Sequence, residues 1–362
     1  MVMMIDSETK VVRTRNLFHK IQDERSDHLD MSLDSNVLLV DGLNTFIRAW
    51  SANPTLNSGG EHVGGTIGFF KSVFHAIDKF MPSRVIVVFD GKNGSAKRKS
   101  LHSDYKKSRS KNKLSRVNRV YGQLDDDEER VRMKRQLVMC AEMMKELPIS
   151  IMMYENTEAD DVMAYLANEL CPENVVLMSS DKDFLQLVNE RIRVWSPTKK
   201  KIYDQDAILD EYGILSENFL LYRALDGDKS DSIDGVRGMG LKTLKTRFPI
   251  ISERYTTVDD ILEYAREHSV NNKIKIYNRL IESEDIVRLN LNLMSLQDVK
   301  INSNAKLDII NLFNKSRPRL DRLGFERKIR TYGLYDSIPN VQTWMQRFKI
   351  LDSYVNNERT AR

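Results

Sequence analysis

The chain has 362 residues, of which 41% are hydrophobic, 30% charged and 8% aromatic, with a formal net charge of +4. This is the composition of a soluble globular protein with room for one large or two moderate domains. No apolar run approaches the roughly 20 residues of a membrane span, and no apolar N-terminal stretch suits a signal peptide. The two cysteines, Cys140 and Cys171, are too far apart in sequence for a disulfide framework or thiolate zinc site. The six His show no zinc-ligand spacing. A reducing, cytoplasmic setting is the expectation.

Residues 1–34 are polar and charged without a sustained period, and read as an extension, helical in part or disordered. From Asn36 the pattern is α/β. Residues 37–40 read as a buried strand leading to a helix, followed by a loop rich in Gly, Asn and Ser over 51–65. Ile67, Phe70, Phe74 and Ile77 give helical spacing over 66–80, ended by Pro82, and 85–89 is a second strand. Between Lys92 and Arg119 stand eleven Lys or Arg against one acid, Asp104, with few apolar anchors, so this block is expected to protrude. The acidic run 125–129 follows directly. A long helix is expected over 129–147, a third strand over 149–154, and a helix from Ala159 with Thr157 in the capping position. Residues 175–178 read as a fourth strand. Residues 191–195 and 201–203 read as a hairpin around Ser196-Pro197-Thr198. Past about residue 205 strands are expected to disappear and helices to dominate. Leu289 to Leu296 and Leu323-Gly324-Phe325 read as core-facing helices. Gln342, Met345 and Phe348 have the spacing of a sliding-clamp-binding peptide. Lys349 stands where a second aromatic is usual, and an ordinary amphipathic helix is the better reading.

Acids recur where the strands run out. Asp41 follows the first strand and Asp90 the second. Glu158, Asp160 and Asp161 sit in Glu-Ala-Asp-Asp. Asp181 and Asp183 follow the fourth strand, and Asp228 and Asp231 lie in Gly-Asp-Lys-Ser-Asp. A parallel α/β sheet places its functional crevice at the carboxyl ends of its strands. If these strands are neighbours, the acids converge, and like charges at close range disfavour each other's ionised form. A hard divalent cation is the economical counter-charge, and an all-oxygen donor set suits Mg2+, with Mn2+ able to substitute. Capping of the helix at Ala159 explains Glu158 and Asp160 alone, but not the recurrence of acids at other strand ends.

Residues 228–248 include Gly-Val-Arg-Gly-Met-Gly-Leu-Lys-Thr. No strand precedes these glycines and their spacing is reversed for a dinucleotide fingerprint. A Gly-rich hairpin between short helices is the better reading: Gly238 and Gly240 admit a phosphate backbone, and Lys242, Thr243 and Lys245 hold it without reading sequence.

The ordered set of strand-end acids, Tyr105-Lys106-x-x-Arg109, Glu-Ala-Asp-Asp, Ser-Ser-Asp-Lys-Asp-Phe, Gly-Asp-x-x-Asp and Gly-Val-x-Gly-x-Gly-x-Lys-Thr resembles the structure-specific 5′-nuclease family. That family includes flap endonucleases, the 5′-nuclease domain of bacterial DNA polymerase I and phage 5′-exonucleases. The segments 105–109 and 194–197 look most like phage ribonuclease H, which removes RNA primers. The resemblance covers roughly 36–334. It implies a PIN-like, mostly parallel sheet flanked by helices over 35–205, then a helix-3-turn-helix DNA-binding region over 206–335 and a C-terminal helix or tail over 336–362.

It further implies two divalent ions. Asp41, Asp90, Glu158 and Asp160 would surround one; Asp161, Asp181, Asp183, Asp228 and Asp231 would surround or support the other, with Asp160 near both. Residues 92–128 would form an arch that threads a 5′ single strand, with Lys97, Arg98 and Lys107 on DNA and Lys106 and Arg109 at the scissile phosphate. The Gly-rich hairpin would grip duplex, with K+ on carbonyls such as those of Val236 and Met239. Asp234 is ranked behind Asp231 by the family's spacing. The expected partners are DNA with a 5′ flap or end and RNA–DNA hybrid, with a sliding clamp or single-strand-binding protein as further candidates, acting on a monomer. A metal-dependent 5′-to-3′ exonuclease and flap endonuclease is the leading reading. A PIN-type ribonuclease and a non-catalytic junction-binding scaffold are the alternatives.

Overall fold

The computed structural model describes residues 36–107, 114–122, 124–271, 274–297, 299, 301–315, 317–338 and 340–360. Six strands form the central sheet: β1 (Asn36–Asp41), β2 (Arg84–Phe89), β3 (Ser150–Met153), β4 (Asn174–Met178), β5 (Ile192–Ser196) and β6 (Lys201–Tyr203). Their spatial order is β3-β2-β1-β4-β5-β6. The first five run parallel, with Leu39 of β1 registered between Ile86 and Leu177, and β6 returns antiparallel on β5. The chain builds outward from β1 through β2 to β3, then crosses to the other side of β1 to lay down β4. A crevice therefore opens between the ends of β1 and β4, the switch point at which such sheets bind ligands.

The strands alternate between two cores. Val37 and Leu39 face one cluster, with Val162, Phe184 and the helices beyond residue 205. Leu38 and Val40 face the other, with α1 (Gly42–Ala52), α2 (Gly64–Phe80) and the C-terminal segment. Both faces are covered, which is why the strands are continuous apolar runs.

The acidic run is no free-standing patch. It is the first turn of α3 (Asp126–Met144), where Asp125 forms a capping box with Glu128, so the helix begins three residues before the expected Glu129. Thr157 does not cap the next helix, α4 (Ala159–Tyr165): its hydroxyl turns back to the Glu155 carbonyl, and Glu158 occupies the cap position. The basic block does not stand clear of the core over its first half. Ala96–Leu101 is helical and Tyr105 is buried against Ile233, Leu293 and Met294. Leu323 is exposed, whereas its neighbour Phe325 is buried. Met345 and Phe348, two anchors of the clamp-peptide spacing, are buried within Val341–Thr360, and the Phe348 ring packs tilted against that of Phe74. They form a core seam rather than a presented peptide. The expected extension over 1–34 lies outside the described residues. No described helix is long and apolar enough to cross a membrane.

Candidate active site

The ends of β1 and β4 are locked by one hydroxyl. Asp41 caps α1 by accepting the Asn44 N–H at 3.0 Å, and its other oxygen accepts the Ser179 hydroxyl at 2.9 Å. Ser179 Oγ also accepts the Asp181 N–H at 3.1 Å, and Asp181 accepts the Asp183 N–H at 3.0 Å. On the other side of β1, Asp90 follows β2 and accepts the Ala159 N–H at 2.8 Å, which seats it on the first turn of α4 beside Asp160. This approach requires Gly91. A Cβ there would lie 1.6 Å from the Tyr154 carbonyl oxygen, so a side chain would force the loops after β2 and β3 apart.

Asp41, Asp90, Asp160 and Asp181 thereby share one volume. Burial pushes the Asp41 carboxyl up to about 7, with the charges of Asp90 and Asp181 adding to it. Burial and then Asp181, Asp41 and Asp90 push Asp160 well above the ordinary aspartate range, against a smaller opposing pull from Lys106. Asp183 lies next to this group. Burial and Asp181 raise it to about 6, while Arg223 opposes them.

Glu158, Asp161, Asp183 and Asp228 already hold cations. Arg223, nearly fully buried, donates from Nε to Asp183 at 2.7 Å and from Nη2 to Asp228 at 2.6 Å. Burial works against the Asp228 carboxylate, but the Ser230 hydrogen bonds and Arg223 outweigh it and lower its pKa. Arg98 bonds Glu158 and reaches Asp161 at 2.7 Å, and the Lys106 ammonium bonds Glu158. Burial disfavours the Glu158 charge, yet Arg98 and Lys106 hold its carboxyl below the usual range. Asp231 is buried and Asp234 exposed.

Of the residues expected on DNA, Arg98 is thus turned inward to the acids. Lys97 is exposed and, with Arg98, Asp161 and Asn292, lines a cavity of about 530 Å³. Lys107 is exposed and pairs with Asp104 at 3.0 Å. Arg109 lies outside the described residues. The Gly-rich turn stands apart from the acids. Gly238 takes φ +88, Gly240 precedes the short helix Leu241–Arg247, Lys242 and Lys245 are exposed, and Thr243 is half-buried. The Val236 carbonyl accepts the Met239 N–H at 2.9 Å, which closes the turn.

Two residues of the centre escaped the sequence reading. Ser179 was legible within Ser-Ser-Asp-Lys-Asp. Arg223 had one signal only, a cation among the apolar residues of the helix Phe219–Asp226. Among the described residues no three acidic, His or Cys side chains stand close enough together to hold one metal ion as they are placed. The donor set nonetheless fits a hard divalent cation. Its atoms are all carboxylate oxygens, and Arg98, Lys106 and Arg223 lean toward Glu158, Asp161, Asp183 and Asp228; among the described residues no Lys or Arg is bonded to Asp41 or Asp160.

A mostly parallel sheet with an acidic crevice at its switch point, followed by a helical region with a Gly-rich turn, defines a class of nuclease. Residues 36–213 match the family described as 5′-3′ exonuclease, N-terminal resolvase-like domain. The chain is 31% identical to a 5′-3′ exonuclease of Aquifex aeolicus, over 62% of this chain and 71% of that one. It is 28% identical to the flap endonuclease Xni of Pseudoalteromonas translucida, over 75% and 97%. The fold is shared with the flap endonuclease of bacteriophage T5, solved as a pseudo-enzyme-product complex with DNA and metal ions (TM-score 0.57, 20% identity, 82% of this chain and 99% of that one). The chain belongs to the 5′-3′ exonuclease family, whose members are nucleases that hydrolyse phosphodiesters.

Proposed function

We propose that the chain is a divalent-metal-dependent 5′-to-3′ exonuclease and flap endonuclease that cuts DNA and RNA–DNA hybrids, and that it removes RNA primers in lagging-strand replication. The observation that carries this reading is the convergence of Asp41, Asp90, Asp160 and Asp181 at the switch point, where burial first and then the neighbouring aspartates raise Asp41 and Asp160. These four would hold one Mg2+ or Mn2+, with Glu158 at its edge. Asp181, Asp183, Asp228 and Asp231 would hold a second, supported by Asp161. Bound divalent ions supply an activated water and neutralise charge on the reacting phosphate.

The chain's own residues do the rest. Asp90 and Asp41 fix the acids by capping helices, so the centre is set by rigid elements. Lys106, now on Glu158, is within the centre and can turn its ammonium to the scissile phosphate, offsetting charge that develops there. Arg98 holds Glu158 and Asp161 in place. Arg109, Lys97 and Lys107 would contact the 5′ strand as part of an arch over 92–128. Gly238, Gly240, Lys242, Thr243 and Lys245 would grip the duplex backbone, with K+ on the turn's carbonyls. The protein would act as a cytoplasmic monomer, with a clamp or single-strand-binding protein as recruiting partner.

The test is cleavage of a 5′-flap duplex and an RNA–DNA hybrid, each labelled at either end, in Mg2+ and in EDTA. Product at the junction or at successive 5′ nucleotides is expected in Mg2+ alone. Asp181→Asn should lower the rate by at least about 100-fold with duplex binding kept. Cleavage in EDTA, or full activity of the variant, would refute the assignment.

A further inference from the structure

The segment that carries Lys106 is held from outside. Its backbone N–H donates to the Asp231 carbonyl at 2.8 Å. Four residues earlier, His102 Nε2 lies 2.9 Å from the Ser232 carbonyl, and since a carbonyl only accepts, this ring nitrogen is the donor. Arg98 Nε donates to the Leu293 carbonyl at 2.8 Å. Between these ties Tyr105 is buried against Ile233, Leu293 and Met294. The two backbones meeting here are both unusual. Lys106 has φ 58 and Ser232 has φ 60, the left-handed region that side-chain-bearing residues occupy only when their surroundings impose it.

The partner of this clasp is the turn over 228–234. It carries Asp228 and Asp231 at one end and runs directly into the Gly-rich turn at Gly235. A duplex seated on the Gly-rich turn would therefore bear on the same short piece of backbone that fixes Lys106. Within 92–107 the direct ties to the acids are the ion pairs of Arg98 and Lys106 themselves; the stretch is otherwise mostly exposed, and its one buried side chain, Tyr105, packs on the helical region.

We propose that His102 is a positioning residue: its hydrogen bond to the Ser232 carbonyl clasps the Lys106 segment to the 228–234 turn and couples duplex seating to placement of the Lys106 ammonium in the active centre. The proposal rests on the reading of Lys106 as the phosphate-facing cation. It assigns no proton transfer to His102, which acts only as a donor.

Two substitutions separate donor from bulk. His102→Phe keeps a ring and loses the donor; His102→Gln keeps an N–H at similar reach. In the full chain, three quantities are measured: flap-duplex Kd in EDTA, the single-turnover cleavage rate in Mg2+, and hydrogen exchange of the Lys106 amide. His102→Phe is expected to lower the single-turnover rate roughly 10- to 100-fold, the scale of a misplaced catalytic group, with Kd within about twofold of wild type. Its Lys106 amide should lose protection, and His102→Gln should recover most of both. A His102→Phe protein that cleaves at the wild-type rate overturns the proposal, as does a loss that His102→Gln fails to restore. Exchange in the wild-type chain decides the matter even if the Phe variant does not fold. A slow Lys106 amide supports the clasp, and one exchanging like a free amide overturns it. Absence of any wild-type cleavage would refute the nuclease reading instead, and leaves the exchange result standing.

Discussion

Asp41 has two duties that pull in different directions. As cap of α1 and acceptor of Ser179 it belongs to the fold, yet burial beside Asp90 and Asp181 makes its charge unwelcome. Its folded carboxyl holds a proton up to about 7 against an ordinary 3.8, so the fold binds that proton more tightly than the unfolded chain does. In EDTA, the penalty is absent below pH 4, grows as pH rises from 4 to 7, and is complete above 7. Asp41→Asn keeps a capping oxygen and removes the charge. Chemical denaturation of the metal-free variant should show a gain of about 1–3 kcal/mol at pH 8 and almost none at pH 4. A variant less stable than wild type at pH 8 would mean that the Asp41 carboxylate is already compensated. At this scale the sequence was most legible where acids recur in one place: Asp41, Asp90 and Asp181 each follow a strand of the parallel sheet, which brings them to the same edge. Arg223 was not legible, since a buried Arg in an apolar helix is readable only once Asp183 and Asp228 are seen around it.

Among the elements, the six strands of the central sheet were read to within a residue at either end, because apolar runs bounded by polar residues have few alternatives. The two-residue strands Gly227–Asp228 and Ile233–Asp234, which pair antiparallel directly before Gly235, were missed where no strand was expected, because they are too short to leave an apolar run. Helix starts were harder. The acidic run 125–129 looked like a patch beside a basic one, whereas the free N–H groups of Asp126–Met144 make it a cap. The C-terminal helix was ambiguous for a different reason. Gln342, Met345 and Phe348 share one spacing in a presented peptide and in a packed helix, and only contact with α2 separates the two. Phe348 is 0% exposed and its ring lies 4.7 Å from that of Phe74, while Arg347 pairs with Asp78 at 2.7 Å. Phe348→Ala should therefore cost about 3–5 kcal/mol in denaturant unfolding, while flap cleavage below the unfolding temperature stays near wild type. An unchanged stability would place Phe348 outside the core.

At the scale of the whole molecule, the centre is assembled from residues far apart in sequence, from Asp41 to Asp228. The sheet brings Asp41, Asp90, Asp160 and Asp181 together, and the helical region adds Arg223 and Asp228, joined to Asp183, from beyond the matched 36–213 segment. The order of motifs along the chain announced this assembly. It could not announce that Arg98 and Lys106 would lie on Glu158, because their segment reads as solvated and is drawn inward by Tyr105 and the 228–234 turn. The central claim is that the strand-end acids form one cation-binding centre. Titration of Mn2+ into the full chain, followed by the paramagnetic resonance of the free ion, addresses it without any substrate. Saturable binding approaching two ions per chain is expected, weakened at least about tenfold by Asp160→Asn, since that carboxylate is buried among Asp181, Asp41 and Asp90 and its charge is what a bound ion would offset. Mn2+ binding that is the same with and without the Asp160 carboxylate would contradict it.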